Sequence, residues 1–404
     1  MNNNLSHIIR HAYANAPTVR RILDAAQIHP DDITSIDDLS RIPVTTKDAL
    51  VELQRGAPPF GGLLAVPRER LTHICMSPGP LYEPHAGESA GDDSIRAILA
   101  VAGFDAGDVV LNTFGYHFIP TGLAFDRTCA GLKMTVIPAG VGSADIQVKM
   151  MLDLGVSAYV GTPSWLAALL RKAEEMGINP RAQFALRKAM VSAEPLPPSL
   201  RQTLVEQYGL NVTNAYGTAE LGFLAYNTES GMAMRLFDSP IIQVAHPETG
   251  APVASGEVGQ VVVTTFNETY PLIRFGTGDL AMNLDPAPGA SRQGERSIIL
   301  VGRVGEAVKV RGMFVHPNQL RFGLSQVTEI ARAQAVVTRT ADRDALVLRA
   351  VHAKPDAAAA ARQSVAAAIR QAIQAACRVN ADAIEWVDAL PDDAKLIVDE
   401  REWK

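Results

Sequence analysis

Between about residues 95 and 290 the chain alternates short apolar, β-prone runs with longer amphipathic stretches, and this alternation constrains the fold more than any other feature. VVLNTF at 109–114, MTVIPA at 134–139, SAYVGT at 157–162 and KAMVSA at 188–193 have the length and composition of buried strands. Between them, IQVKMMLDLG and SWLAALLRKAEEMG carry apolar residues at helical spacing. Strand and helix in alternation predict crossover units and a largely parallel sheet, with ligands at the carboxyl ends of its strands.

The flanks read differently. Residues 1–60 hold short helical patterns broken by Pro17, Pro30, Pro43, Pro58 and Pro59, with Thr45, Thr46, Lys47 and Asp48 forming a helix start, and predict an amino-terminal helical cap. From 241 to 283, strand-like runs joined by Gly/Pro turns predict an antiparallel, β-barrel-like subdomain. After Gly302 the pattern is hairpin, helix from Pro317, two strands, an alanine-rich helix over 356–377 with Val365, Ile369 and Ile373 on one face, and a short strand. The expected fold class is α/β: a large domain over 1–301 of mixed, largely parallel sheets with the barrel-like subdomain, and a small α+β domain over 302–404.

A length of 404 residues at 47% hydrophobic content supports sizeable cores in more than one domain. The net charge of -6 gives no general pull toward nucleic acid or an anionic membrane. Cys75, Cys129 and Cys377 are far apart and lack metal-ligand spacing, so neither a disulfide framework nor a zinc cluster is expected, and reduced thiols fit a cytoplasmic protein. No run approaches the roughly 18 apolar residues of a membrane span. A homodimer is the ordinary default for a soluble enzyme.

The stretch Asn214, Ala215, Tyr216, Gly217, Thr218, Ala219, Glu220 places an aromatic face, a glycine, a hydroxyl and a carboxylate within one strand and turn. Tyr216 can stack on a purine, Gly217 allows close backbone approach, Thr218 offers a hydroxyl, and Glu220 can hold a cation beside phosphates. A plain turn after a buried strand accounts for the string about as well. Downstream lie YPLIRFGTGDLA at 270–281, GRVGEAVKVRGMFVHP at 302–317 and DDAKLIVDER at 392–401.

In this order the four segments resemble the adenylate-forming superfamily. RIPVTTKDAL at 41–50, GTPSW at 161–165 and SAEPLP at 192–197 are most similar to its phenylacetate-CoA ligase group. The resemblance spans nearly the whole chain. It implies an ATP-dependent acyl- or aryl-CoA ligase: the acid attacks the α-phosphate of ATP, pyrophosphate leaves, and CoA opens the acyl-adenylate. Such chemistry relies on positioning and electrostatics. By the resemblance Glu220 is a Mg²⁺ ligand and Tyr216 stacks on adenine, while Ser192, Ala193, Glu194 and Pro195 line the nucleotide site with Asn214 to Thr218. Asp279 takes the ribose hydroxyls, Arg303 reaches ribose or phosphate, and Lys395 is the catalytic lysine bridging carboxylate and α-phosphate. The family's small domain alternates between two orientations; its hinge aspartate falls here on Gly305, and Lys309, Arg311 and Gly312 are expected near the CoA tunnel. Arg274 is open between a ligand contact and a structural role.

One departure stands out. Relatives carry a Ser/Thr/Gly-rich loop, typically SSGTTGKP, around the β- and γ-phosphates; here the segment from Met76 to Pro84 reads MSPGPLYEP. Pro78, Pro80 and Pro84 donate no amide hydrogen, and Glu83 adds negative charge where phosphates are expected. Three readings compete: an inessential mobile loop, pyrophosphate held by other groups such as Tyr82 or His85, or loss of efficient ATP use. Retention of Glu220, Asp279 and Lys395 together favours activity.

Phe114, Tyr116, His117 and Phe118, with backbone around Ala193 and Ala215, are the expected acyl pocket and suit an aromatic acid. His117 reads equally as an ordinary packed or surface histidine. The expected partners are a small carboxylic acid, ATP and CoA, with no nucleic acid and no membrane. The alternatives are adenylation with transfer to an amine or carrier thiol, and a non-catalytic CoA- or adenylate-binding protein.

Overall fold

The computed structural model describes residues 2–77, 81–87, 90–306, 308–311, 313–340, 343–377, 379–391 and 393–401. It divides into two compact units, residues 1–277 with 282–299, and residues 278–281 with 300–404.

The first unit opens with helices α1 (Asn2–Asn15) and α2 (Pro17–Ala25), the second started by a proline in its first turn, where no amide hydrogen is needed. A two-residue strand β1 (Thr45–Thr46) leads into helix α3 (Lys47–Gly56). Thr46 is the expected cap: its hydroxyl accepts from the Ala49 amide at 3.1 Å. The approach to β1 is pinned by Arg274, whose guanidinium is buried and donates to the carbonyls of Ser40, Ile42 and Gly250. That settles Arg274 as structural, bonded to backbone carbonyls.

Strands β2 (His73–Ser77) and β3 (Leu81–His85) form an antiparallel hairpin in which Cys75 faces Glu83 and Ser77 faces Leu81. With side chains alternating along each strand, one face carries buried Cys75, Ser77, Leu81 and Glu83, and the other exposed Ile74, Met76 and Tyr82. Thus the segment expected as a phosphate-binding loop is largely strand. Residues 78–80 of that segment lie outside the described residues.

Beyond the hairpin come α4 (Ala90–Val101), β4 (Val109–Asn112), α5 (Thr121–Gly131), β5 (Thr135–Pro138), α6 (Ala144–Asp153), β6 (Ala158–Gly161), α7 (Pro163–Glu175) and β7 (Lys188–Val191). Then follow β8 (Asn211–Thr218), β9 (Gly222–Asn227), β10 (Met234–Leu236), β11 (Ile241–Ala245), β12 (Val258–Thr264), β13 (Phe275–Leu284) and β14 (Ser297–Arg303). They join one sheet in the order β11-β12-β13-β14-β10-β9-β8-β7-β6-β4-β5, with β1 added in parallel against β13. From β8 through β7, β6 and β4 to β5 the strands are parallel, as the alternating pattern predicts. The strands expected as a barrel-like subdomain, β11 to β13, form one end of this same sheet.

Helices cover both faces of the parallel part. Val110, Val160 and Met190 pack with Phe125 of α5 and Ile95, Ile98 and Leu99 of α4, while Leu111, Tyr159 and Val191 pack with Val148 and Met151 of α6 and Leu166 and Leu170 of α7. Adjacent strand residues thus enter opposite cores, which is why these strands read as continuous apolar runs. Cys75, Cys129 and Cys377 are free and buried. No helix among the described residues is long and apolar enough to cross a membrane.

The second unit is α+β. A four-stranded sheet runs Ala383–Trp386, Arg343–His352, Ile330–Thr340, Ile397–Asp399, and the helix Ala359–Cys377 buries Val365, Ile369, Ile373 and Cys377. A hairpin pairs Val308–Val310 with Met313–Val315. The division between units falls within β14, between Ile299 and Leu300, and assigns Gly278–Ala281 of β13 to the second unit.

Candidate functional site

In the parallel sheet β4 lies between β5 and β6, so the chain leaves β4 toward one edge and returns past it to build β6, β7 and β8. Such a reversal opens a crevice at the strand carboxyl ends. The residues following β4, β6, β7 and β8 there are Thr113 and Phe114, Thr162 to Ser164, Ser192 to Pro195, and Ala219 and Glu220.

These segments are tied to one another. The Ser192 hydroxyl donates to the Ala215 carbonyl at 2.7 Å, and the Glu194 carboxylate accepts from the Ser164 amide at 2.6 Å in the first turn of α7. Thr162 caps the same helix through Trp165. The sequence assigns Ser192 and Glu194 to the nucleotide; in the structure their side chains bond to the Ala215 carbonyl and the Ser164 amide and so tie these loops together. Ala193 is exposed with a φ of 71°, a left-handed conformation that costs about 1–3 kcal/mol in a non-glycine residue and recurs at functional sites.

Asn214, Ala215 and Tyr216 lie on β8, with Tyr216 9% exposed. Gly217 is required by the neighbouring strand: a Cβ there would stand 2.4 Å from the Gly222 carbonyl oxygen. The close approach predicted at this glycine is therefore to β9. The Thr218 hydroxyl is buried without a hydrogen-bond partner among the described residues.

Glu220 lies in the turn between β8 and β9, its side chain only 3% exposed. Lys47, the first residue of α3, places its ammonium 2.7 Å from Glu220 Oε1, and the Ser77 hydroxyl approaches the same oxygen at 3.4 Å. Glu83 belongs to this neighbourhood. It is 5% exposed, and neither carboxylate oxygen makes a well-formed hydrogen bond to the described residues. Burial pushes its carboxyl up to about 7; the Glu220 charge adds to the rise, and Ser77 and Lys47 pull against it. Glu83 thus sits inward under the hairpin. Tyr82 and His85 diverge: Tyr82 is exposed with its backbone bonded to Gln54, and His85 is half-buried.

The implied Mg²⁺ fits this donor set. Two carboxylates and a hydroxyl are hard oxygen ligands, and a positive charge already rests on Glu220. No group of three or more His, Cys, Asp or Glu among the described residues is arranged for a metal, but Mg²⁺ bound with phosphate uses one or two carboxylates.

The acyl set is dispersed. Phe114 is buried and stacks on Phe125 at 5.2 Å, Tyr116 is half-buried with its hydroxyl accepting from Asn112, and burial raises its phenol. His117 is exposed and Phe118 is 75% exposed; a φ of 64° and a carbonyl bound to the Met76 amide turn Phe118 outward. Phe114 and Phe118 do not share one wall.

In the second unit, Asp279 and Arg303 are brought together: Arg303 Nε lies 3.4 Å from Asp279 Oδ1, with the arginine side chain 74% exposed. Gly302 has a φ of 142°, and a Cβ there would meet the His316 ring at 1.8 Å; His316 accepts from the Arg303 amide. Gly305 lies in a 3-10 turn with open space where a Cβ would stand. Arg311, expected near CoA, gives its guanidinium to Asp382 and the Asn380 carbonyl. Lys309 is in the hairpin, its side chain outside the described residues, as is Gly312.

Lys395 is exposed immediately before the edge strand Ile397–Asp399. Its carbonyl accepts from Gln334 at 3.0 Å, and Arg332 binds the carbonyls of Leu390 and Pro391. Asp399 and Arg401 pair with each other and Arg401 with Asp344, so the end of the strand is fixed while the lysine head stays in solvent.

Lys47 is the residue that sequence reading missed. It was visible only as part of a helix start, and its distance of 173 positions from Glu220 hid the pairing.

Residues 94–267 match the AMP-binding enzyme family model. The chain is 30% identical to phenylacetate-coenzyme A ligase of Thermus thermophilus over 83% of its own length and 76% of that protein's. Against phenylacetate-coenzyme A ligase of Aromatoleum evansii it is 31% identical over 77% and 71%. Among solved structures, an open conformation of 2-hydroxyisobutyryl-CoA ligase in complex with 2-HIB-AMP and CoA shares the fold with a TM-score of 0.82, at 24% identity over 98% of this chain and 90% of that one. With relatives of that identity and coverage, the chain belongs to the phenylacetate-CoA ligase family of AMP-binding, adenylate-forming enzymes.

Proposed function

We propose that the protein is an ATP-dependent acid–CoA ligase of the AMP-forming class, which activates a carboxylic acid as its acyl-adenylate and transfers the acyl group to CoA. The observation that carries this reading is the buried Glu220 beside Lys47 at the carboxyl end of β8, within a chain that belongs to this family. Glu220 would hold Mg²⁺, which when bound neutralises phosphate charge. Tyr216 and the Ser192–Pro195 loop flank the adenine, and Thr218 has a hydroxyl to give. Asp279 and Arg303 form a ribose and phosphate pair, and Lys395 brings its ammonium to the carboxylate and α-phosphate. The regions 1–301 and 302–404 act as adenylating domain and mobile lid, with Gly305 as hinge and Lys309, Arg311 and Gly312 toward CoA. Phe114 and Tyr116, beyond β4, favour an aromatic acid. A cytoplasmic homodimer that binds neither nucleic acid nor membrane completes the reading.

Carboxylate-dependent exchange of pyrophosphate into ATP, over a panel of aromatic and branched aliphatic acids with and without CoA, tests it. Exchange with at least one acid, and thioester when CoA is added, is the expected result. The strand-rich segment with buried Glu83 in place of a phosphate loop favours one other reading, a non-catalytic adenylate- or CoA-binding protein. Nucleotide binding with neither exchange nor thioester for any acid would establish that instead.

A further inference from the structure

The family's amide-rich phosphate loop is replaced here by a hairpin, and the hairpin turns a carboxylate inward. Glu83 lies on its buried face with Cys75 and Ser77, only 5% exposed, and neither oxygen makes a well-formed hydrogen bond to the described residues, the Ser77 hydroxyl being a polar neighbour on that face. A buried carboxylate without well-formed hydrogen bonds calls for an explanation in the form of a bound ion or water. The Ser77 hydroxyl of the same face approaches Glu220 Oε1 at 3.4 Å, and the Glu220 side chain is 3% exposed with the Lys47 ammonium on that oxygen at 2.7 Å. A cation is thus already seated at the β8–β9 turn, on a side chain that is 32% exposed rather than enclosed.

We propose that Glu83 and Glu220, beside the Ser77 hydroxyl, form a two-carboxylate site for a divalent cation carrying the polyphosphate of ATP, with Lys47 holding the cation's place when none is bound. This rests on the ligase reading and deepens it. Where relatives grip the β- and γ-phosphates with loop amides, this chain grips them through a metal held by a second carboxylate. Mg²⁺ takes oxygen ligands and ordinarily completes its shell with water and substrate phosphate, so two carboxylates suffice. When the metal enters, the displaced Lys47 ammonium is freed beside the phosphates. The negative charge that looked unfavourable at Glu83 becomes what recruits the nucleotide, and the prolines lose their penalty because backbone amides are no longer asked to donate.

The test is Mn²⁺ binding to the full chain, read by the electron paramagnetic resonance of free Mn²⁺, with and without a non-hydrolysable ATP analogue. Glu83→Gln is expected to weaken Mn²⁺ by about tenfold or more. Lys47→Met is expected to tighten it in the nucleotide-free protein, because the competing ammonium is gone. A Glu83→Gln affinity within about twofold of wild type overturns the proposal. Should that variant fail to fold, Lys47→Met decides: tighter binding supports the site, and unchanged or weaker binding overturns it. Failure of the ligase reading looks different, since Mn²⁺ binding would still depend on Glu83 while no acid supported exchange.

Discussion

Lys395 and Glu83 are titratable residues in opposite settings, and each setting dictates a measurable outcome. Lys395 has its head in solvent and its backbone pinned by Gln334, an arrangement that delivers charge without spending it on the protein. Lys395→Ala should lower acid-dependent pyrophosphate exchange by roughly 10²–10³-fold while a supplied acyl-adenylate is still converted to thioester; equal loss of both steps would remove the lysine from adenylation. Glu83 is raised from an ordinary 4.5 to about 7 by burial. Its contribution to folding is therefore fully present below about pH 4.5 and lost as pH rises through about 7, where the folded state must hold a buried anion. In metal-free buffer, urea midpoints should fall between pH 5 and 8 more steeply for wild type than for Glu83→Gln; parallel profiles would show that Glu83 ionises freely. Glu220 was legible from its motif, and Glu83 was legible as a charge in a strange place. That both are buried together was not, because a hairpin register decides which face Glu83 occupies.

At the scale of elements, local signals were read well where one strand or cap sufficed. Thr46 caps α3, the runs at 109–114, 157–162 and 188–193 hold β4, β6 and β7, and the alanine-rich segment is a helix from Ala359. The segment from Met76 to Pro84 was read as a loop because it stands where relatives carry their phosphate loop, and its three prolines, poor strand formers, did nothing to suggest otherwise. Pro84 is tolerated because the hairpin is only two strands wide. Arg274 joins elements far apart in sequence, binding Ser40, Ile42 and Gly250. Arg274→Ala leaves those carbonyls buried without donors, and should cost about 3 kcal/mol or more in urea unfolding. A change under about 1 kcal/mol would mean that the segment before β1 is held by other contacts.

For the whole molecule, the motif order made the family legible, while the continuity of one sheet from β5 to β11 was not, since strand order depends on partners rather than on any strand's own residues. Gly305→Pro probes the two-unit architecture: fixing φ at the proposed hinge should leave exchange near wild type and abolish thioester formation. Full thioester activity would place the hinge elsewhere. The three cysteines carry a last consequence. A catalyst that releases a mixed anhydride in the presence of a thiol substrate must keep its own sulfur from intercepting the acyl group. Burial raises the Cys75 thiol and pushes Cys129 and Cys377 up to about 12, so none offers thiolate at neutral pH. The same concealment makes them reporters: iodoacetamide should leave the native chain unlabelled, and alkylation should appear only as each core opens.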